Sequence, residues 1–321
     1  MSPEIDRSKI NRTSLKFHLI FQKTFMDMLK PIRTIIYLFI ASLIPLILGN
    51  LTFQNIGSFP VQAQVDRLGD VFILMTYVWL AGIPFAMFVP FAVSSLISKE
   101  MRDGTMISLI SRPIRRWEIV AGKFLGFLAY AMLVQLLVFV ISTYLLVTLT
   151  GANLGVFPLM FKYLPMFLAY SLVVALFMGG LSIFFSTVIK WPLLSTFLVI
   201  VLVLIWFVAF WLVRIIVPAT YSGLYLYYID IGYYLGNTLY LLISIFGIDM
   251  SPFLQIGLSI TTGVFDIRAV LGMSDPDQGF DIANLPETGY MSPVGSLFGI
   301  LLMSGLLLFL SIYRMYRKEF N

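Results

Sequence analysis

The 321-residue chain has no cysteine, a single histidine and few charges. Without cysteine there are no disulfides, thiolate metal sites or cysteine nucleophiles. That composition is compatible with a prokaryotic cell membrane. A lone histidine, His18, has no partners of its own kind with which to ligate a metal or work as a base. Charged residues make up 12% of the chain, whereas a soluble domain carries roughly 25%. With 60% hydrophobic residues and a mean hydropathy of +0.95, too little polar surface remains to face water on all sides. Long uncharged runs bear this out, because about 18 or more apolar residues in a row read as a membrane-spanning helix. The 16 methionines are scattered; a copper(I) path would need them clustered, and they read as soft apolar filler. The charged residues of the first 31 positions precede any long apolar run, the wrong order for a cleavable signal peptide.

What is present is six such runs, near 32–51, 71–97, 124–149, 164–189, 193–213 and 294–313. The fold class expected is an all-α integral membrane protein. Pro45, Pro84 and Pro90 sit inside spans, where neighbouring helices can satisfy the freed carbonyls. Residues 15–30 precede the first span with helical periodicity: Phe17, Ile20, Phe21, Phe25 and Met28 form one stripe, and Lys16, Lys23, Asp27 and Lys30 another. Such a segment is expected to lie in the membrane interface, its lysines toward anionic lipid headgroups.

Placing the N-terminus inside puts 17 of the 21 Lys and Arg on the inner face. Only Arg67, Lys162, Arg214 and Arg268 remain outside. This asymmetry predicts cytoplasmic termini. It also accounts for the net charge of +5 without invoking nucleic acid. Residues 231–247 are almost wholly apolar, but spanning there would reverse the count, so they read as interfacial or re-entrant. The region 218–293 becomes one long outer segment, acidic in its later part. Tyr221, Tyr225, Tyr227, Tyr228, Tyr233, Tyr234 and Tyr240 crowd its start and read as headgroup anchors.

Within these boundaries the spans carry no charge except Arg33 at an edge. Ion-coupled carriers need ionisable groups at mid-depth. Gln135 and Asn50, the most polar side chains there, read as helix–helix hydrogen bonders. No phosphate-cradling Gly-x-x-x-x-Gly-Lys-Ser/Thr loop exists; Gly122-Lys123 is followed by Phe124. Energy for any pumping must come from another chain.

The stretch 98–123 mixes charges of both signs. Gly104 permits a break, Thr105 can cap a short helix over Met106 to Ser111, and Pro113 ends it. From the residues alone this reads equally as a docking handle or as an ordinary charged connection. An exposed ion pair at Glu100 would be worth only about 0–1 kcal/mol, so Glu100→Ala is expected to spare the fold.

The stretch resembles the cytoplasmic loop of ABC-2-type permeases, the membrane subunits of one class of ATP-binding-cassette transporters. That pattern has a Glu, then Gly-Thr, a Leu-x-Ser-x-Pro segment, an Arg, and a Gly-Lys opening the next span. Here these are Glu100, Gly104-Thr105, Leu109, Ser111, Arg112 and Pro113, Arg116, and Gly122-Lys123. Arg115 departs from the usual Ser or Thr. The resemblance implies a coupling loop over 98–123 that docks on a separate cytoplasmic ATPase. It implies two copies of that ATPase, which bind the ATP and Mg, and a second copy of this permease or a close relative. No catalytic residue, metal or cofactor is expected in this chain. Exporters predominate in the family, and spans without charges suit a hydrophobic or amphipathic substrate. The competing readings are a channel, secondary carrier or scaffold working without an ATPase, and an integral membrane enzyme. The latter needs clustered Asp, Glu, His or Ser at one depth.

Overall fold

The computed structural model describes residues 7–29, 31–51, 56–103, 115–266 and 285–317. Among these residues the regular elements are all helical, and one isolated bridge pairs Phe265 with Glu287. Six helices are long and apolar enough to cross a membrane. They are α2 (Pro31–Leu51), α3 (Val61–Arg102), α4 (Arg116–Leu149), α5 (Val156–Val188), α6 (Pro192–Ile216) and α9 (Pro293–Arg317). Before them runs α1 (Arg7–Met28), and between α6 and α9 lie α7 (Ile231–Ile245) and α8 (Pro252–Thr262).

α5 sits at the centre, packing on α3, α4, α6 and α9. Outward faces of α2, α6 and α9 expose rows of large apolar side chains, among them Ile35, Phe39, Leu193, Phe197, Phe298 and Phe309. In a water-soluble protein such faces would be aggregation sites; against lipid they are the required surface. The apolar stripe of α1 is turned onto α4. An added Cβ at Gly122 would stand 3.0 Å from Ile20 Cγ2, and one at Gly126 2.9 Å from the Phe21 carbonyl oxygen. Absence of side chains at these two positions is what lets the helices cross so closely.

α3 is interrupted. It reads Val61–Met75, a π-segment over Thr76–Leu80, then Ile83–Val93 and Ser95–Arg102. Pro84 explains part of the break, since it has no N–H to give to the Leu80 carbonyl. That oxygen is satisfied from neighbouring helices, by Tyr37 Oη at 3.0 Å and Gln135 Nε2 at 3.2 Å. Gln135 thus bonds across helices as the sequence predicts, while the side chain of Asn50 lies outside the described residues.

Several expectations need correction. The helices run past the apolar runs given above, and on those extensions Asp70, Glu118, Lys123 and Arg214 are buried. The region between α6 and α9 does not all lie on the surface of the bundle. α7 is buried along its length from Ile231 to Leu239, wedged among α5, α8 and α9. Its 15 residues, roughly 22 Å at 1.5 Å per residue, fall short of the ~30 Å hydrocarbon core, so it enters the bundle without spanning it. Tyr221, Tyr227, Tyr233 and Tyr234 are buried too, Tyr221, Tyr227 and Tyr233 around Tyr290, rather than anchoring at headgroup depth. Tyr225 and Tyr228 remain exposed.

Candidate functional site: the fastened ends of the 98–123 connection

The resemblance points to 98–123, and the described residues show how the ends of that stretch are held. Gly104, Thr105, Leu109, Ser111, Arg112 and Pro113, with the expected short helix, lie outside the described residues. Glu100, Arg116, Gly122 and Lys123 lie within them.

On the entry side, the last turns of α3 are pinned to α5. The Ser98 N–H donates to Ser186 Oγ at 2.9 Å, and the Ser186 hydroxyl donates to the Ser94 carbonyl at 2.9 Å. One turn on, Glu100 pairs with Lys123 near the start of α4. The lysine ammonium also donates to the carbonyl of Leu96. The Lys123 side chain is 6% exposed and that of Glu100 27%, so water reaches the acid but hardly the base. A lysine stem buried along a helix with its charge met by a carboxylate is a pair that matters to the fold. This differs from the weak exposed pair expected of Glu100.

On the exit side, α4 opens with a carboxylate cap. The Arg115 N–H donates to Glu118 Oε2 at 3.1 Å, a carboxylate at the third helical position where helix starts favour negative charge. Arg116 then reaches across to α9. Its guanidinium donates to the carbonyls of Met315 at 2.6 Å and Tyr316 at 3.0 Å, near the C-terminal end of α9, where a cation is favoured. The Gly-Lys pair has two separate jobs: Gly122 admits α1 against α4, and Lys123 ties α4 to α3. The loop therefore leaves and re-enters a frame joining α1, α3, α4, α5 and α9.

Residues outside this loop form a second polar centre that sequence reasoning placed on the outer face and the membrane surface. Arg214 on α6 and Asp230, which caps α7, form an ion pair at 3.3 Å with side chains 7% and 0% exposed. Tyr221 Oη donates to Asp230 Oδ2 at 2.9 Å, the Tyr233 N–H donates to Asp230 Oδ1 at 3.1 Å, and Arg214 donates to the Thr262 carbonyl. The signal was present: an Asp directly before a helical apolar run is a cap candidate. Nearby, Tyr240 donates to Glu287 at 2.6 Å, and burial together with that carboxylate pushes the phenol up to about 12, so it stays a neutral donor. Among the described residues no group of three or more His, Asp or Glu is placed to hold a metal ion.

Compared with known proteins, the chain matches a family model described as ABC-2 family transporter protein over residues 18–317. No curated protein matches it.

Proposed function

The chain belongs to the ABC-2 family of transporter proteins, and on that premise we propose that it is the permease subunit of an ATP-driven exporter, coupled to its ATPase through residues 98–123. Family permeases generally pair with an ATP-binding-cassette subunit, which accounts for the missing phosphate loop. Two copies of that ATPase, holding ATP and Mg, would work with this chain and a second copy or close relative. Both termini and the 98–123 connection face the cytoplasm, as the 17-to-4 distribution of Lys and Arg requires. The substrate is hydrophobic or amphipathic.

The observation that carries the reading is the fastening around the loop. A cytoplasmic connection that only had to join two spans would need no buried ammonium, no carboxylate cap and no arginine reaching to the last span. A lever needs all three, because a push on an unfastened loop is absorbed by the loop. Here a displacement between residues 103 and 115 acts at once on α3 through Glu100–Lys123 and on α9 through Arg116.

The test is ATP hydrolysis and substrate movement by the complex purified from native membranes, comparing wild type with Arg116→Ala and Gly104→Val. Both variants should keep the ATPase bound and lose the dependence of hydrolysis on substrate. Wild-type transport by both would remove the loop from the mechanism.

A further inference from the structure

Two cavities draw on neighbouring residues of α3 and of the start of α8, at the end of α3 away from Arg102. One is a polar cavity of about 340 Å³ lined by Asp66, Asp70, Lys162, Tyr163, Asp249 and Ser251. The other is a wholly apolar cleft of about 270 Å³ between α2, α3 and α8, lined by Ile44, Leu48, Leu74, Met75, Trp79 and Phe253. α3 supplies Asp66 and Asp70 to the first and Val71 to Trp79 to the second. The start of α8 does the same with Ser251 and Phe253, and the Ser251 hydroxyl donating to Asp70 Oδ2 is the seam between them. Each volume lies near the lower end of small-molecule sites, roughly 300–1,000 Å³.

From this juxtaposition we infer a binding site for a cationic amphiphile: an alkylammonium-type head in the polar cavity and a single apolar chain in the cleft beside Trp79. The charge balance selects the head. Three carboxylates face one ammonium, Lys162, which is already paired with Asp66 at 3.0 Å. Asp70 is 8% exposed and carries only a neutral hydroxyl donor among the contacts described. Lys162 acts on Asp70 through space, and a ligand ammonium in contact with this buried carboxylate would offset more of its burial cost. The cleft selects the tail, since it has no polar lining to hydrogen-bond anything else. The inference rests on the transport reading only for why such a molecule would be held there.

The probe is dodecylamine carrying a bromine near the chain end, added to the full-length protein in zwitterionic nanodiscs and read by quenching of tryptophan fluorescence. The Trp79→Phe protein supplies the background from Trp117, Trp191, Trp206 and Trp211. Saturable quenching of Trp79 is expected, with half-saturation raised about tenfold or more by Asp70→Asn and likewise by Asp249→Asn, an exposed residue. Brominated dodecanol and dodecyl sulfate should quench without saturating. Equal quenching by all three heads would mean ordinary lipid contact and overturn the site, as would indifference to both carboxylate variants. Amine binding without any change in ATP hydrolysis by the complex would uphold the site and count against the transport reading. Stimulated hydrolysis without Trp79 quenching would do the reverse.

Discussion

Removing the Glu100 carboxylate strands a buried ammonium. In Glu100→Ala the Lys123 side chain, 6% exposed, keeps among its described contacts the Leu96 carbonyl, with the Asp27 charge acting from further off. Breaking a buried pair from one side costs about 3–5 kcal/mol. Glu100 is itself 27% exposed, and the cavity left by its loss admits water to the lysine, so about 1–3 kcal/mol is the expected loss. Lys123→Met removes the charge that needs a partner and leaves an acid that water already reaches, so it should cost less than Glu100→Ala. The double variant should be more stable than Glu100→Ala alone, because no orphan charge remains. That coupling of opposite sign to simple additivity is the signature of a pair in contact. The assay is equilibrium unfolding of the four proteins in mixed detergent, followed by near-UV circular dichroism. An unchanged Glu100→Ala, or a double variant whose loss is the sum of the single losses, would refute the pair and with it the fastening of the loop.

Topology is checked by single cysteines in this cysteine-free chain: an impermeant thiol reagent on intact cells should label Leu154→Cys and spare Asp103→Cys, and the opposite pattern would reverse the orientation. Gly126→Val should push α1 off α4, since its Cβ would meet the Phe21 carbonyl oxygen at 2.9 Å; an overpacking loss of about 1–3 kcal/mol and faster proteolysis of the N-terminal helix are expected, and an unchanged protein would contradict the crossing. Asp230→Ala should be among the most damaging outer substitutions, about 3–5 kcal/mol, by leaving Arg214 buried and unpaired, with Asp230→Asn intermediate; tolerance of Asp230→Ala in a thermal-shift assay would show that the pair is dispensable.

The six spans were legible because lipid demands long apolar runs, and those runs persist whatever the tertiary structure. Helix ends were not. Asp66 and Asp70 on α3, or Trp117 and Glu118 on α4, belong to helices that continue beyond the hydrocarbon, where polarity no longer marks an end. The 98–123 stretch stood out by its mixed charge and Gly-Thr break, and four of its singled-out residues fall in the fastened frame. Which acid meets which base was not readable: Glu100 and Lys123 are 23 positions apart and are joined only because α3 and α4 return to the same face. Between α6 and α9, the burial of Tyr221, Tyr227, Tyr233 and Tyr234 was not legible. Seven tyrosines and an Asp before an apolar run look the same on a membrane surface as in a wedge, and only packing against α9 and α5 decides between them.

The central claim is tested most directly by purifying the tagged chain from its native membrane in nanodiscs, determining the mass of the assembly, and measuring ATP hydrolysis by the assembly and by the chain stripped of partners. The account predicts two permease chains with two ATPase subunits, hydrolysis by the assembly, and none by the stripped chain. A stripped chain that moves solute in liposomes without ATP or a partner would contradict it.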